Sequence, residues 1–438
     1  MIREYSSRKE SKRLHTQPYI PEPCLIDSMS PPNVFEEEPS IQQSVVDYKK
    51  NQKQRQVLAH LYTQGTSTLA NLAALLYNSI PSVTGLVEEL IQNQWVTAIG
   101  TAIGNNGRRP VLFGLNTRYH YVAIIDVSTH DTKILFMDAQ RKVVFRINYD
   151  LRLADNSDFL ATLVSYFASA LTASGLSADD LLAVGVTMPG LIDARRGLNL
   201  TYKNLNQTGE SLTKWLSEQV GKSVYLINDT KATVLGESRF GGARGKKQVL
   251  AINIDWGVGL GIIVNGEVFQ GASGFAGELG HIQVDPEGDL CYCGKIGCLN
   301  TITSALALVQ RVQRDILAGQ VSKLALFKDQ VERLGIDELI RAAQQGDSYA
   351  IDILHEAGFQ LGKGLAVAVN LFNPEIIIID GVLTKAADFI LNTIEQAISK
   401  YCLSDFRNDM TIELTQLNGT AKWLGTHAFV MEDIFATY

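Results

Sequence analysis

The feature that most constrains the fold is an alternation of apolar, strand-like runs with helical segments, which begins near residue 119. Three of these runs are β-rich and bounded by polar turns: YVAIIDVS, KILFMDA and KVVFRINYD. Three more read as buried strands: LLAVGVTMPG, SVYLIND and EIIIIDGVL. Apolar residues at helical spacing over 159–174 and around 358–372 indicate helices between them. This alternation predicts an α/β fold whose sheets are covered by helices.

A coarse duplication accompanies the alternation. A strand that opens a hairpin occurs near Val122, and the segment QVLAINIDWGVGLGIIVNGEVFQG reads as another hairpin near Val249. The pattern therefore predicts two related halves within the α/β region.

Composition limits the class of protein. A chain of 438 residues is too long for one ordinary core, so two or three domains are expected. Hydrophobic residues make up 46% and charged residues 19%, which is typical of soluble globular proteins. The N-terminal MIREYSSRKESKRLH lacks the apolar segment of a secretory signal, and no apolar run approaches a membrane span. We expect a cytoplasmic protein.

Charge divides the chain into three parts. Residues 1–45 hold six of the eleven prolines and predict a tail that is disordered or draped on another domain. Residues 46–118 carry a net charge of +4, and because the whole chain carries −7, the remainder carries −11. A small basic module on an acidic body, residues 119–438, indicates that the module contacts nucleic acid.

Helix and turn signals fill the basic module. Helical spacing predicts helices over 53–62 and 69–76, and Pro81 suits the first turn of a third helix. The inward face of that third helix is predicted to consist of Val83, Leu86, Val87, Leu90 and Ile91. WVTAIG and RRPVLFGL then predict a hairpin, with residues 104–109 at its tip. Together these elements predict a winged helix-turn-helix.

Small and basic residues in this module are the candidate DNA contacts. Ser79, Ser82 and Thr84 lie near the N-terminal end of the third helix, the end that a recognition helix presents to the major groove. Arg108 and Arg109 on the hairpin can reach phosphates or a minor groove. The alternative is a helical dimerisation module with ordinary solvated charges.

Four metal-ligating residues fall within eighteen positions. His281, Cys291, Cys293 and Cys298 match a closed tetrahedral Cys3His zinc site. A closed site leaves no open position for water, so the predicted Zn²⁺ is structural. Clustered cysteines also suit a reducing compartment better than a disulfide framework does. The alternative is three buried cysteines and an unrelated histidine.

The segment GELGH followed by CYCGKIGC resembles the signature of the ROK family of repressors and sugar kinases. GVTMPGLID, INDTKA and NPEIIIIDGVL are similar to other segments of that family, so the resemblance spans about residues 46–430. The N-terminal module with GRRP resembles the repressor branch, which includes xylose-, N-acetylglucosamine- and glucose-responsive members. The resemblance implies a two-lobed sugar-kinase-like domain of the actin and hexokinase type.

Kinase chemistry is only partly retained. By resemblance, Asp229 stands where the catalytic base would be. The first phosphate loop, DxGGTK in the family, here reads Asp126-Val127-Ser128-Thr129, and the second has Asp255-Trp256 where Gly-Thr is usual. Side chains and an added negative charge would occupy space that phosphates need, so we expect no kinase activity. The alternative is a working hexose kinase that uses Asp229 as its base.

The resemblance implies a sugar pocket built from Pro189, Gly190, Asn204, Asn228, Asp229, Glu278 and His281. Carboxylates and amides suit vicinal hydroxyls. Asn300 stands where the family often has glutamate, which can change specificity or leave the pocket empty.

These observations predict a repressor of sugar genes. A sugar closing the cleft would change the spacing of two winged helices in a homodimer or homotetramer on a palindromic operator. In the alternative, the sugar site is vestigial and a sugar-transport protein relieves repression.

Overall fold

The computed structural model describes residues 45–102, 109–205, 211–407 and 410–436. The predicted tail, apart from Val45, lies outside this range, as does Arg108 at the tip of the predicted hairpin. Within these four segments, no helix combines the length and the apolar character needed to cross a membrane.

The N-terminal unit consists of three helices and a small sheet. The helices are α1 (Val45–Gln64), α2 (Leu69–Leu75) and α3 (Ile80–Gln92), and the strands are β1 (Ser67–Thr68), β2 (Val96–Thr101) and β3 (Val111–Leu115). The strands pair antiparallel in the order β1-β3-β2. Thr68 caps α2 by accepting a hydrogen bond from the Asn71 N–H at 3.2 Å. The three predicted helices and the hairpin strands are confirmed, although α1 begins eight residues earlier than predicted.

The inward face of α3 is confirmed at four positions of five. Val83, Leu86, Val87 and Leu90 are buried, but Ile91 is 39% exposed, so the prediction for Ile91 was wrong. Successive residues on a helix are separated by about 100°, so Ile91 is carried past the seam that Leu90 occupies.

The first large sheet begins directly after the N-terminal unit. Its five strands are β4 (Tyr121–Val127), β5 (Thr132–Met137), β6 (Val143–Tyr149), β7 (Leu181–Met188) and, after the short hairpin of β8 (Ile192–Asp193) and β9 (Leu198–Asn199), β10 (Val224–Asn228). The order is β10-β7-β4-β5-β6. The strands β4, β5 and β6 run antiparallel, whereas β7 and β10 join β4 in parallel.

The second large sheet repeats this plan. Its strands are β11 (Val249–Ile254), β12 (Val258–Val264), β13 (Glu267–Val268), β14 (Ile376–Asp380) and β15 (Thr411–Leu414). The strands β11, β12 and β13 are antiparallel, and β14 and β15 continue from β11 in parallel. Each lobe therefore starts with an antiparallel meander and ends with parallel strands, which confirms the predicted duplication.

Helices cover both sheets. They are α4 (Ser157–Ser174), α5 (Leu212–Val220), α6 (Asp229–Phe240), α7 (Asn300–Thr303), α8 (Ala305–Leu317), α9 (Ile336–Gln344), α10 (Ser348–Phe372), α11 (Ala387–Tyr401), α12 (Ser404–Arg407) and α13 (Ala421–Ile434). Short 3₁₀ helices cover Ala178–Asp180, Leu279–His281, Lys323–Arg333 and Val382–Ala386. Helix α10 begins ten residues before the predicted segment because Asp347 caps it, accepting from the Ala350 N–H at 2.9 Å.

Helices α6 and α13 pack together between the two sheets, with α13 against β4 and β7 and α6 against β11 and β12. Their backbones approach closely because both helices carry glycine at the crossing. A β-carbon on Gly425 would lie 1.7 Å from the Ala232 carbonyl oxygen, so no larger residue fits there.

The N-terminal unit shares an apolar core with the first lobe. One buried cluster contains Leu61 of α1, Leu86 of α3, Val122 of β4 and Met431 of α13. The two units are therefore in direct contact over buried side chains.

Candidate functional site

The four predicted metal ligands meet at one point. The ligand atoms of His281, Cys291, Cys293 and Cys298 all lie within 4.8 Å of one another. The His281 Nδ1 and Cys291 Sγ atoms are 3.5 Å apart, and the Cys293 and Cys298 sulfurs are 3.7 Å apart. A tetrahedral Zn²⁺ with Zn–S bonds of about 2.3 Å places two sulfurs roughly 3.8 Å apart. The donor set and its spacing fit one tetrahedral ion.

Local backbone geometry explains why these residues converge. Two isolated bridges, Gln283 with Cys298 and Leu290 with Ile296, fold the segment back on itself. Gly297 has a φ of +68°, and a β-carbon there would overlap the Asp285 carbonyl oxygen. Only glycine allows this turn.

The protonation of the cysteines responds to their surroundings. Burial raises the pKa of the Cys291 thiol and raises that of Cys298 to about 12. Both would be thiols at neutral pH without a cation, and a bound metal ion would make them thiolates.

The second ring nitrogen of His281 points away from the sulfurs. Its Nε2 lies 3.0 Å from the Tyr292 hydroxyl and 3.8 Å from a Glu278 carboxylate oxygen. The sequence pattern did not identify Tyr292, because the residue between two cysteine ligands carries no signal of its own. The structure thus links the cluster to the predicted sugar pocket through His281.

Asp229 lies at the start of α6, where the predicted pocket centres. Its Oδ1 accepts from the Thr230 N–H at 2.7 Å. Burial raises the pKa of the Asp229 carboxyl, Lys422 opposes the rise, and Asp255 and Asp126 add to it. A carboxyl of this kind suits a hydrogen bond with a ligand hydroxyl.

Asn228 and Gly190 lie next to Asp229. The Asn228 side chain accepts from the N–H groups of Thr230 and Lys231 and donates to the Gly190 carbonyl at 3.1 Å. Asn228 therefore caps α6 and ties it to the β7–β8 loop. Its side chain holds the pocket wall in place.

Glu278 faces the same space from the second lobe. Burial raises the pKa of its carboxyl, the Asp229 charge adds to the rise, and Lys231 opposes it. The Lys231 Nζ donates to Gln270 Oε1 at 3.0 Å and to the Gly274 carbonyl, which fastens this loop to α6. Lys231 was not identified from the sequence, because a single lysine within a largely buried helix gives no pattern that indicates a role.

The side chains of Asn204 and Asn300 form hydrogen bonds within the protein. Asn204 is exposed, and its Nδ2 donates to Asp155 Oδ2 at 2.9 Å. The buried Asn300 accepts from the Val258 N–H at 2.8 Å through its Oδ1. Asn300, where the family often has glutamate, thus anchors the start of β12.

An ion pair lies at the end of β4, beside the turn that is predicted to stand where the family has its first phosphate loop. Lys422 Nζ lies 2.7 Å from Asp126 Oδ1, and Trp423 Nε1 donates to Asp126 Oδ2 at 2.8 Å. Burial by itself would lower the Lys422 pKa, but Asp126, Asp229 and Asp255 together raise it, so the ammonium stays charged. The family resemblance gave no indication of Lys422.

The turns that correspond to the two phosphate loops touch each other. His130, from the β4–β5 turn, stacks on Trp256, from the β11–β12 turn, with ring centroids 3.8 Å apart and planes 16° apart. The glycines that remain in the second loop are also used for packing, because a β-carbon on Gly261 would lie 2.4 Å from Val234 Cβ. The β4–β5 turn of the first lobe and the β11–β12 turn of the second lobe are therefore in side-chain contact with each other.

Four of the predicted DNA contacts, Ser79, Ser82, Thr84 and Arg109, fall within the described part of the N-terminal unit. Ser79 and Ser82 are exposed, and Ser79 makes no capping hydrogen bond to α3. Thr84 is half-buried and donates to the Ile80 carbonyl at 2.9 Å, so its hydroxyl is satisfied within the helix. Arg109 is exposed beside the hairpin tip.

Some of the basic residues of this unit are engaged internally. Lys50 pairs with Glu89 at 2.8 Å, and Lys53 donates to Asn78 at 3.3 Å. These contacts join α1 to the α2–α3 region. The net positive charge of the module therefore overstates the charge that is free for a polyanion.

Two lobes of one plan, a central helix pair and a cluster of candidate metal ligands beside a polar cleft define a two-lobed, kinase-like α/β protein. A ROK regulator of known structure, a homolog of the E. coli MLC protein, has the same fold, with a TM-score of 0.75, 29% identity and coverage of 89% of this chain and 97% of that chain.

The ROK family model matches residues 122–433. The chain belongs to the ROK family. A putative xylose repressor of Caldicellulosiruptor sp. (strain Rt8B.4) is 28% identical over 381 residues, covering 87% of this chain and 95% of that protein. The DNA-binding transcriptional dual regulator NagC of Escherichia coli (strain K12) is 30% identical over 337 residues, covering 77% of this chain and 82% of that protein.

Proposed function

We propose that this protein is a sugar-responsive transcriptional repressor that binds DNA through residues 46–118 and a sugar through residues 119–438. The observation that carries the proposal is the extent of the likeness to named repressors and regulators. It reaches 381 residues in one relative and so continues beyond the ROK region at 122–433. The tail of residues 1–45 is assigned no role.

The N-terminal unit acts as a winged helix-turn-helix. Three helices with a three-stranded antiparallel sheet, and an exposed N-terminal end of α3, support this assignment. Ser79, Ser82 and Thr84 face base edges or phosphates, and Arg108 and Arg109 on the wing contact the backbone or minor groove. A homodimer or homotetramer would place two such units on a palindromic operator.

DNA binding is tested with the duplex that the wild-type protein enriches from a random pool. We expect its affinity to fall steeply with salt, on the order of a thousandfold or more between 50 and 200 mM if about six phosphates are contacted, because bound counterions are released. Fluorescence anisotropy over a salt series measures the slope.

The matched variants are Arg109→Ala, beside the wing tip, and Arg118→Ala, an exposed arginine beyond β3. Arg109→Ala should weaken binding and reduce the salt slope by about one, whereas Arg118→Ala should leave both unchanged. Ser82→Ala should change the enriched sequence. A flat salt dependence of the wild type would contradict the assignment.

The cleft binds a sugar without phosphorylating it. We assign Gly190, Asn204, Asn228, Asp229, Glu278 and His281 to the sugar site. The Lys422–Asp126 pair and the His130–Trp256 stack support the loss of ATP binding, since they involve both loops that would hold phosphates. The position of Asp229 favours a second candidate, a working sugar kinase, which the Asp229 experiment below separates from the first.

The Cys3His cluster holds a structural Zn²⁺. The ligand spacing supports a closed site, in which Zn²⁺ would supply crosslinking of the 281–298 segment. His281 bridges this segment and the pocket. A sugar-transport protein as a further partner remains an alternative source of regulation, and a pull-down from cells grown with and without sugar tests it.

A further inference from the structure

The first turn of α13 lies in the cleft between the lobes. Lys422 contacts Asp126 at 2.7 Å, and its charge interacts with those of Asp229 and Asp255. The partly buried Lys422 thus forms an ion pair with Asp126 and interacts electrostatically with two further carboxylates, those of Asp229 and Asp255. Any ligand that binds at Asp229 changes how that positive charge is shared.

The middle of α13 contacts the N-terminal unit. The Tyr62 hydroxyl of α1 and His427 Nδ1 are 2.8 Å apart, both side chains are fully buried, and their rings stack with centroids 5.6 Å apart. Burial lowers the pKa of His427 to about 3, so the imidazole is neutral and the hydrogen bond joins two uncharged groups. Because the Tyr62–His427 contact is short and buried, a displacement of α13 would change it.

Two further contacts hold α1 to the body. Arg55 donates to the Ala436 carbonyl at 3.0 Å, just beyond the end of α13. Arg141 donates to the Tyr62 carbonyl, and its guanidinium lies 5.0 Å from the Tyr62 ring centroid. The C-terminal half of α1 is therefore fixed by α13 and the β5–β6 turn.

Helix α13 can transmit displacement between these two places. Lys422 and His427 are five residues apart, roughly 7.5 Å along the helix axis, so both belong to one rigid element. The close crossing with α6 at Gly425 lies between them and provides a pivot.

We infer that α13 couples the sugar cleft to the DNA-binding unit, with Lys422 as the contact at the cleft and the His427–Tyr62 pair as the contact at α1. This inference rests on the proposed function and specifies how that function is regulated. Sugar bound at Asp229 displaces Lys422, α13 turns about the Gly425 crossing, and Tyr62 moves α1. Lys422, His427 and Tyr62 act as positioning residues.

A double-mutant cycle tests the coupling without a sugar. The proteins are wild type, Lys422→Gln, Tyr62→Phe and the double variant, and Kd is measured for the duplex enriched by the wild type. We expect Lys422→Gln to weaken DNA binding about tenfold, a size typical of coupling between sites. In the Tyr62→Phe background the same change should alter Kd less than about twofold, because the path is already interrupted.

Tyr149→Phe is the matched control. It removes a tyrosine hydroxyl that donates to the Tyr166 carbonyl within the first lobe, away from α13. In this background Lys422→Gln should keep its tenfold effect. Additive effects of Lys422→Gln and Tyr62→Phe, or no effect of Lys422→Gln in a folded protein, would overturn the inference.

Hydrogen exchange provides a second measurement if Lys422→Gln does not fold. Tyr62→Phe should raise the exchange rates of amides in residues 421–425 about fivefold, whereas Tyr149→Phe should not. Unchanged rates in Tyr62→Phe would overturn the coupling. If the wild type enriches no duplex, the proposed function itself fails and the inference fails with it.

Discussion

Replacing Cys298 with serine will remove most of the stability of the ROK domain. The fully buried Cys298 lies in the cluster that we propose holds Zn²⁺, and a hydroxyl is a poor Zn²⁺ ligand. Since metal-binding free energy is folding free energy, we expect a loss on the order of 4–5 kcal/mol. Urea unfolding followed by circular dichroism measures it, and elemental analysis should fall from one zinc per chain toward none.

Cys402→Ser is the control for this prediction. Cys402 is half-buried after α11, and its thiol contacts the Ala366 carbonyl at 3.6 Å, outside the cluster. We expect this variant to keep its zinc and to lose at most about 1 kcal/mol. Wild-type protein that contains no metal and is fully stable in a chelator would contradict the zinc site.

Asp229→Ala will lose sugar binding while keeping DNA binding, because Lys422 retains its direct ion pair with Asp126 at 2.7 Å. Removal of an acceptor from a buried ligand hydroxyl costs on the order of 1–3 kcal/mol, or roughly 5- to 150-fold in Kd. The binding sugar is first found by a thermal-shift screen of monosaccharides and sugar phosphates, because ligands of the folded state raise the midpoint. Repression by Asp229→Ala should then persist in the presence of an inducer, or be absent if the sugar is a co-repressor.

Asp150→Asn is the control, since this carboxylate is exposed and lies at the end of β6. It should bind sugar as the wild type does. The wild type should show no ATP-dependent phosphorylation of the sugar in a coupled assay. Phosphorylation by the wild type that disappears in Asp229→Ala would identify a working kinase, and unchanged sugar affinity in Asp229→Ala would place the ligand elsewhere.

Periodic patterns made most of the fold predictable. The runs that became β4, β7, β10 and β14 are buried on both faces, so they are nearly continuous in apolar residues and easily identified. The prediction for Ile91 was wrong because this residue lies at the edge of the apolar face of α3. At such a position the spacing of apolar residues does not determine whether the side chain is buried or exposed. The convergence of His281, Cys291, Cys293 and Cys298 was predictable because the spacing of cysteines and histidines carries information about shared ligand roles.

The contents of the cleft were less predictable. Lys422 is about 300 positions from Asp126 in the chain, and Trp256 is more than 100 positions from His130, so their contacts exist only once both lobes have formed. Similarly, the hydrogen bond between Asn300 and Val258 depends on how α7 meets β12. The spacing of residues along the chain gives no information about such long-range contacts.

The buried Lys422 has a consequence for how this chain could evolve. Removing the lysine alone would leave Asp126 and its neighbouring carboxylates in a low-dielectric interior without a counter-charge, which is strongly destabilising. Restoring glycines in the first loop alone would leave the ammonium in place. Asp126 and Lys422 therefore depend on each other, and we expect a substitution at either position to cost stability unless the other position changes as well.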